Sequence, residues 1–498
     1  MKIIKRALFL IFTVLFLLAV SLSALSCNSN NSGNNNGSQT DGTGETQAGS
    51  AETTEEYAYP QMDGGGADFI FLNPTTTWFY YTDLVRESMD GEVLDDAIYT
   101  RNSFIEDKFN ISLKTVELDI GKVNAQLKKV ITSGEDAYDA AFCPAFFNGT
   151  IGALIAQNLF YNLRDIPTMN LEGNWWNQTM AKEASIGKGD KLYYAGCGID
   201  IMTLQCVSCV YFNQSMMTNL GLELPYKTVT DGKWTYDALD KYMKAGANLN
   251  GDASFKWDKS GKAIYGLTGY EDCATALFMG ANQPFIKTDA DGVPHLAVQD
   301  EPFITALSKV QEILQLQSGY YLYANDINSG NHYEPIFRSG RALMATGELK
   351  AADTFRDMED TFGILPIPKY DETQSNYYCH LIFGTPLLVI PATNPNPDFA
   401  GAVLDAMAYV SNRDVTPTLF DVSVSQKQLR NSDSIDMLHI IKNSGSFEIG
   451  SAYGWTTPLY DGIAGNIGKG TKFDIASQIE KSVSKMQANI DKTMQLFQ

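Results

Sequence analysis

The sequence predicts an α/β fold with two lobes, and three observations support this prediction. Short apolar strand patterns alternate with helix patterns after residue 66, which is typical of a parallel sheet with crossover helices. More than four hundred residues follow that point in the 498-residue chain, and this length exceeds what one hydrophobic core usually holds. No apolar run after residue 26 approaches the length of a membrane span, so we expect this part to be water-soluble.

The first 26 residues predict an export signal. Lys2, Lys5 and Arg6 precede an apolar run at 7–20, and small residues follow up to Ser26. This order of a basic, an apolar and a small-residue region is typical of a cleaved leader. The apolar run is also too short for a stable membrane span.

Cys27 stands at the expected cleavage point and begins a tract, residues 27–66, that is rich in Asn, Ser, Gly and Thr. Such a composition cannot bury enough apolar surface to fold, so we expect a flexible tether. A cysteine followed by a polar tether resembles the lipidated N terminus of bacterial lipoproteins, although Ala24 stands where that family usually has Leu. We therefore expect a lipid on Cys27. The alternative is a secreted protein with an unmodified Cys27.

The chain is acidic, with 37 Lys and Arg against 58 Asp and Glu. Three of the basic residues lie in the leader, which has no acidic residue, so the remaining 34 leave a formal charge of about −24. Nucleic acids and anionic lipid surfaces bind basic protein surfaces. We therefore exclude both as partners.

The first elements after the tether alternate between strand and helix. Strands are predicted at 67–72, 111–116 and 138–142, and helices at 95–109 and 123–131. Parallel strands joined by helices place their carboxyl ends at one edge of the sheet, where the ligands of such sheets bind. We therefore expect the loops at 73–78 and 143–150 to lie near a ligand.

The later elements follow in mixed order. Strands are predicted at 191–195, 202–212 and 386–391, helices at 213–219, 301–318, 397–411 and 475–497, and further apolar segments at 336–345 and 362–368. Thr235 is the expected N-cap of one more helix. Asp289 to Gly292 is interpreted as a hairpin turn, because the remaining ligands of a calcium loop are missing.

Motifs for metal, redox and nucleophilic chemistry are missing from the sequence. Cys206 and Cys209 lie three residues apart on the predicted strand 202–212, so their side chains should point to opposite faces. We interpret the six cysteines after Cys27 as unpaired core residues, with one disulfide as the alternative. The four histidines are scattered, and no nucleotide-binding or hydrolase motif is found. We predict no catalytic residue, no metal and no cofactor.

Several segments together resemble one known family. They lie at 138–142, 189–195, 210–214, 220–222, 234–239, 337–345, 362–368 and 390–392. Their order and spacing are similar to the extracellular solute-binding proteins of ABC importers, in the carbohydrate-binding class of the maltose-binding type. The resemblance implies a two-lobe, type II periplasmic-binding-protein-like fold, with the ligand in a cleft between lobes joined by crossing strands.

The resemblance also implies lobes that are discontinuous in sequence, because the chain crosses between them more than once. We predict lobe 1 from residues 67–205 with 343–385, and lobe 2 from residues 206–342 with 386–498. Closure around a ligand would be a hinge motion in which a few residues absorb the backbone change.

A sugar ligand presents apolar C–H faces and a rim of hydroxyl groups, which aromatic rings and carboxylates or amides recognise. The candidate ligand-binding residues are Trp78, Phe146, Phe147, Asn148, Asp200, Gln205, Glu348 and Trp455. They follow predicted strands, flank the first crossing between the lobes, which the resemblance places within 198–210, or lie in a late aromatic loop. A structural role is the alternative for each of them. Trp175 and Trp176 are interpreted as packing residues.

The implied function is that of a substrate-binding receptor, which captures a sugar or oligosaccharide outside the cell and delivers it to the permease subunits of an ABC transporter. We expect a monomer held at the extracellular face of the membrane by its lipid alone. Two alternatives stay open. One is an exported glycoside hydrolase or lyase with an acid pair in the cleft. The other is a receptor for a peptide or another solute, with Arg338 or Arg341 binding a carboxylate.

Overall fold

The computed structural model describes residues 57–77, 84–188, 190–315, 319–425, 432–495 and 497. Tyr57–Gln498 form one compact unit. The leader, Cys27, most of the tether and Trp78 lie outside the described residues. No helix in the described ranges is both long and apolar enough to cross a membrane.

The strands and helices are numbered here in chain order. The strands are β1 (Ala67–Thr75), β2 (Ile111–Asp119), β3 (Ala140–Pro144), β4 (Ser208–Asn213), β5 (Tyr265–Gly269), β6 (Ile286–Thr288), β7 (Pro294–Leu296), β8 (Tyr321–Tyr323), β9 (Asn325–Asp326), β10 (Asn331–His332), β11 (Ala342–Glu348), β12 (Phe362–Leu365), β13 (Cys379–His380), β14 (Pro386–Val389) and β15 (Gly445–Ser446). The helices are α1 (Val93–Phe109), α2 (Ile120–Thr132), α3 (Ile151–Ile155), α4 (Gln178–Ala184), α5 (Met202–Gln205), α6 (Gln214–Asn219), α7 (Tyr226–Thr230), α8 (Tyr236–Gly246), α9 (Asp272–Gly280), α10 (Glu301–Ile313), α11 (Tyr333–Arg338), α12 (Ala351–Phe355), α13 (Pro397–Val410), α14 (Thr416–Ser425), α15 (Ser432–Asn443), α16 (Ile449–Ala452), α17 (Thr457–Gly462) and α18 (Ile475–Met494).

The first sheet has four strands in the order β14-β3-β1-β2. Strand β1 pairs in parallel with β2 and β3, while β14 runs antiparallel to β3. The parallel pairs require crossover connections, and α1 and α2 supply them. The predicted alternation of strands and helices, and the parallel sheet that it implies, are therefore confirmed.

The second sheet has five strands in the order β12-β4-β11-β5-β8. Strand β5 pairs in parallel with β8 and β11, and β4 runs antiparallel to β11 and β12. Every residue of β4, β5, β11 and β12 is buried, as expected for a sheet covered on both faces. The chain passes from the first sheet to the second between β3 and β4, and returns between β12 and β14.

This strand order contradicts part of the predicted lobe allocation. Strand β12 and all of β11 except Ala342 lie within the range 343–385 assigned to lobe 1. Both strands belong to the second sheet, whose strand β4 was assigned to lobe 2. Strand β14, assigned to lobe 2, pairs with β3 in the first sheet. Apolar runs identify strands but carry no information on which sheet each run joins. The other lobe boundaries stay a prediction.

The predicted strand 202–212 is also wrong in its first half. Residues 202–205 form the single helical turn α5, and the strand begins at Ser208. The Oδ1 atom of Asp200 accepts the backbone N–H of Met202 at 2.8 Å, which holds the start of that turn. Residues 191–195 form isolated bridges at their two ends instead of a regular strand. The six described cysteines are all buried and unpaired.

Several local predictions are confirmed by the structure. The side chain of Thr235 accepts the backbone N–H of Ala238 at the start of α8. Pro397 occupies the first turn of α13. Residues 289–292 form the turn between the antiparallel strands β6 and β7.

Trp175 and Trp176 are packing residues, as predicted, and both are held by one buried carboxylate. The indole N–H groups of both donate to Asp405 Oδ1 at 2.9 Å. The same oxygen accepts the backbone N–H of Asn170 at 3.1 Å, and Oδ2 accepts the hydroxyl of Tyr57 at 2.8 Å. Asp405 is 2% exposed, so four donors replace the water that this carboxylate loses on folding.

We expect Asp405→Ala to lower the free energy of unfolding by roughly 3 to 5 kcal/mol, because it leaves buried donors without an acceptor. Asp398→Ala, in the exposed first turn of the same helix, should cost less than about 1 kcal/mol. Urea unfolding of both variants measures the difference. Equal losses would contradict the role assigned to Asp405.

Candidate functional site

A cavity of about 690 Å³ lies at the carboxyl ends of strands from both sheets. Its volume suits a small-molecule ligand. It is lined by Thr77, Phe146, Tyr270, Glu271, Asp272, Asn325, Ile327, His332, Tyr333, Glu334, Glu348, Lys350, Thr354, Ile382, Phe383, Tyr460, Asp461 and Ala464. The predicted loops 73–78 and 143–150 each contribute one of these residues, Thr77 and Phe146.

Aromatic rings form part of the cavity wall. Tyr270 and Tyr333 are stacked, with ring centroids 5.6 Å apart and an angle of 23° between the rings. Phe383, before β14, stacks on Phe147 with centroids 5.8 Å apart. Rings in these positions offer flat apolar surfaces of the kind that pack against the C–H face of a ligand.

Glu348 ends β11 and is the most buried carboxylate that lines the cavity, with 3% exposure. Its side chain accepts hydrogen bonds from the hydroxyl groups of Tyr270 and Tyr333, the latter at 3.5 Å. Burial raises the pKa of this carboxyl above its ordinary value, and the charge of nearby Lys350 opposes the rise. The carboxylate of Glu348 therefore bridges the hydroxyl groups of the two stacked tyrosines.

Asp272 begins α9, and its side chain is 10% exposed. Among the described residues, no hydrogen-bond donor contacts its Oδ2 atom within bonding geometry. Burial raises the pKa of Asp272 to about 7, and the nearby Thr275 hydroxyl opposes the rise, although this hydroxyl has no partner in hydrogen-bond geometry among the described residues. His380 Nε2 lies 3.8 Å from Oδ2 and shares a 2.8 Å hydrogen bond with the Tyr460 hydroxyl. Burial lowers the pKa of His380 to about 3, so this ring is neutral and gives Asp272 no counter-charge.

The remaining acidic groups lie nearer the rim. Glu271 accepts the hydroxyl of Tyr323 at 2.7 Å and the side-chain amide of Asn325 at 2.5 Å, and Lys469 Nζ lies 3.9 Å from it. Glu334 lies 3.7 Å from His332 Nδ1. Burial lowers the pKa of His332 below its ordinary value, and the charge of Glu334 opposes this change.

The structure brings some of the predicted site residues together. Phe146 and Glu348 line the cavity, and Phe147 supports it from behind through the stacked Phe383. The side-chain amide of Asn148 instead donates to the backbone carbonyl of Gly121 at 3.1 Å, outside the cavity lining. Trp78 lies outside the described residues.

Asp200, Gln205 and Trp455 lie outside the cavity lining and inside the protein, at 3%, 3% and 1% exposure. The indole N–H of Trp455 donates to Thr493 Oγ1 at 2.9 Å, and its ring stacks on Tyr453. Asp200 holds the turn at α5, and burial raises its pKa to about 7. Their surroundings assign structural roles to Asp200 and Trp455, so we leave all three residues out of the proposed site.

The arginines considered for a carboxylate ligand are also outside the cavity lining. Arg341 stacks over Trp257 at 4.5 Å and donates to the backbone carbonyl of Asp258 at 2.7 Å. Arg338 is exposed. Among the described residues, no group of three or more His, Cys, Asp or Glu is arranged to hold a metal ion.

Sequence reasoning missed most of the cavity. Tyr270, Glu271 and Asp272 follow β5, and the segment that contains this strand had no regular pattern that identified it. The signal that could have found them is the short strand 265–269, which is followed by Tyr270 and then two acidic residues. Such a strand end is the expected place for ligand-binding side chains.

Comparison with known proteins shows which solved structures share this fold. No protein-family model matches the chain, and no curated protein matches it in sequence. Among solved structures, a cyclo/maltodextrin-binding protein complexed with maltotetraose is 14% identical, with a TM-score of 0.56 over 86% of this chain and 98% of that chain. The cyclic alpha-maltosyl-1,6-maltose binding protein from Arthrobacter globiformis is 13% identical, with a TM-score of 0.54 over 86% and 100%.

An ABC substrate-binding protein from Listeria monocytogenes in complex with cycloalternan is 13% identical, with a TM-score of 0.52 over 86% of this chain and 99% of that chain. At such identities the likeness shows the fold. The chain has the type II periplasmic-binding-protein-like fold of these solute-binding proteins, and the resemblance predicted from the sequence is confirmed at that level.

The buried Asp272 makes a testable contribution to stability. Because burial raises its pKa from 3.8 to about 7, the folded chain holds this proton more tightly than the unfolded chain. The contribution of this protonation to the free energy of unfolding is full below about pH 4 and is lost as the pH rises through about 7. Between about pH 5 and pH 8, we expect the free energy of unfolding to fall by roughly 2 to 4 kcal/mol more in the unaltered chain than in Asp272→Asn.

The control for this measurement is Asp237→Asn, whose side chain is 88% exposed. It should keep the pH dependence of the unaltered chain, because the other buried acids are common to all three proteins. Parallel curves for Asp272→Asn and the unaltered chain would contradict the assigned environment of Asp272.

Proposed function

We propose that this chain is the substrate-binding receptor of an ABC importer, which captures a sugar or oligosaccharide outside the cell. The observation that carries the proposal is the cavity itself. Residues from the ends of both sheets line it, and it combines flat aromatic surfaces with buried carboxylates. Both surfaces suit a saccharide, which has apolar C–H faces and a rim of hydroxyl donors.

In this proposal, aromatic and acidic residues recognise different parts of the sugar. Tyr270, Tyr333 and Phe383 pack against the faces of sugar rings. Glu348 and Asp272 accept hydrogen bonds from hydroxyl groups in an environment where such bonds are strong because water is excluded. The maltotetraose and cycloalternan named for two proteins of similar fold are saccharides of the size class that this proposal considers.

Binding is proposed to couple to closure of the two sheets around the ligand. The chain passes between the sheets at β3–β4 and at β12–β14, and the second passage carries the cavity residues Ile382 and Phe383. A hinge needs a few residues that absorb backbone change, and a ligand stabilises the closed state by contacting both sides at once. The closed, loaded receptor would then deliver its ligand to the permease subunits.

The leader, the tether and Cys27 complete the proposal. Export followed by lipidation of Cys27 would hold a monomeric receptor at the outer face of the membrane, within reach of the permease. The receptor is proposed to release its ligand chemically unchanged, so it has no catalytic residue, metal or cofactor.

A saccharide that binds the folded chain alone must raise its melting temperature by mass action. We expect a concentration-dependent rise with at least one member of a panel of mono- and oligosaccharides, and recovery of that saccharide intact. Phe383→Ala should weaken its binding about tenfold or more, because a ring face loses its apolar contact. Phe104→Ala, at a ring that is 38% exposed and outside the cavity, should leave binding unchanged.

Two outcomes would contradict the receptor proposal. If no saccharide in the panel raises the melting temperature, the ligand belongs to another chemical class. Cleavage of the saccharide during incubation would make the chain an enzyme that uses its buried carboxylates as an acid pair.

A further inference from the structure

The cavity carries an excess of acidic groups over basic ones. Its described lining includes one lysine, Lys350, and five carboxyl groups, on Glu271, Asp272, Glu334, Glu348 and Asp461. Outside the lining, Lys469 lies near Glu271. Neutral hydroxyl groups can hydrogen-bond to carboxylates but leave this charge uncompensated.

The lack of a compensating positive charge is greatest at Asp272. Its side chain is nine-tenths buried, and none of the described groups donates a hydrogen bond to its Oδ2 atom. The nearest histidine, His380, is kept neutral by burial, which lowers its pKa to about 3. A buried carboxylate without a partner is costly, so a cavity that keeps one gains binding energy when the ligand brings the missing positive charge.

Asp405 shows how the same chain treats a carboxylate with a purely structural role. It is at least as deeply buried as Asp272 and Glu348, yet four donors surround it. Asp200 and Glu448 resemble Asp272 in that one oxygen of each lacks a hydrogen-bond donor among the described residues, but neither lines this cavity. Asp272 thus differs from Asp405 in its missing donor, and from Asp200 and Glu448 in its place on the cavity wall.

The neighbouring aromatic rings favour the same kind of ligand. Tyr270 and Tyr333 are stacked beside Glu348, and both donate to it. An ammonium group is attracted both to the face of an aromatic ring and to a carboxylate. Glu348 and the rings would thus contribute to the same cation as Asp272.

We propose that the saccharide bound here is positively charged, an amino sugar or amino-sugar oligomer with a free ammonium group, and that Asp272 and Glu348 recognise this group. The inference rests on the proposed receptor function and specifies its substrate class. The aromatic faces bind the sugar ring, and the acidic groups select its charge.

Calorimetric titration of the full-length chain with matched sugars tests this inference. The pairs are glucosamine with glucose, galactosamine with galactose, mannosamine with mannose, and β-1,4-linked oligomers of glucosamine with glucose oligomers of equal length. At about pH 7 we expect at least one amino compound to bind about tenfold or more tightly than its hydroxyl partner. The preference should shrink as salt is added, because the charges are then screened.

Two variants of the cavity acids locate the effect. Asp272→Asn and Glu334→Gln should each reduce the preference for the amine by about threefold or more, while binding of the neutral partner changes less. Glu334 is half-buried at the rim, so its variant keeps the test informative where Asp272→Asn folds poorly. The controls Asp237→Asn and Glu172→Gln remove equal charge from side chains that are 88% and 78% exposed, and should keep the preference.

The outcomes separate this inference from the proposal on which it rests. Neutral sugars that bind as tightly as their amino partners would overturn the charged substrate and leave a sugar receptor standing. The absence of binding for every sugar would overturn the receptor proposal, and the inference with it. An amine preference that the exposed-residue controls reduce equally would also overturn the assignment to this cavity.

Discussion

A carboxylate removed from water must find hydrogen-bond donors or positive charge, and this requirement organises both the core and the cavity of the chain. At Asp405 the requirement is met by four donors from two other parts of the sequence, at Tyr57 and at 170–176, which are thereby held to the helix that carries Asp405. At Glu348 it is met by two tyrosine hydroxyl groups that line the cavity. At Asp272 it is met incompletely by the residues that the structure describes. Asp405 and Asp272 therefore differ in how completely their carboxylates are hydrogen-bonded.

The topology brings these groups to one place. Strands β5 and β11 run parallel in the second sheet, so Tyr270 to Asp272 and Glu348 emerge at the same edge. The return of the chain to the first sheet before β14 adds Phe383, and the loop after β3 adds Phe146. The chain thus alternates between the two sheets, and the cavity needs residues from both of them.

Local sequence patterns predict local structure well in this chain. The buried run of β1, the N-cap at Thr235 and the hairpin turn at 289–292 follow from nearest-neighbour chemistry, and the structure has all of them. The sheet to which β11 and β14 belong does not follow from such patterns, because both are short apolar runs that suit either sheet. The position of Trp455 in a loop likewise does not reveal whether its ring lines the cavity or packs inside the protein. In the structure the ring is buried against Tyr453. Glu348 was found through the resemblance, whereas Asp272 follows β5, a strand that the sequence analysis did not predict.

The central claim is that one cavity, lined by residues from both sheets, binds the saccharide. The most direct test is a crystal structure of the chain with the saccharide that raises its melting temperature most. The account predicts a sugar ring against Tyr270, Tyr333 or Phe383, with a donor group within hydrogen-bond distance of Glu348 or Asp272. A saccharide found elsewhere, with this cavity filled by water alone, would contradict the account.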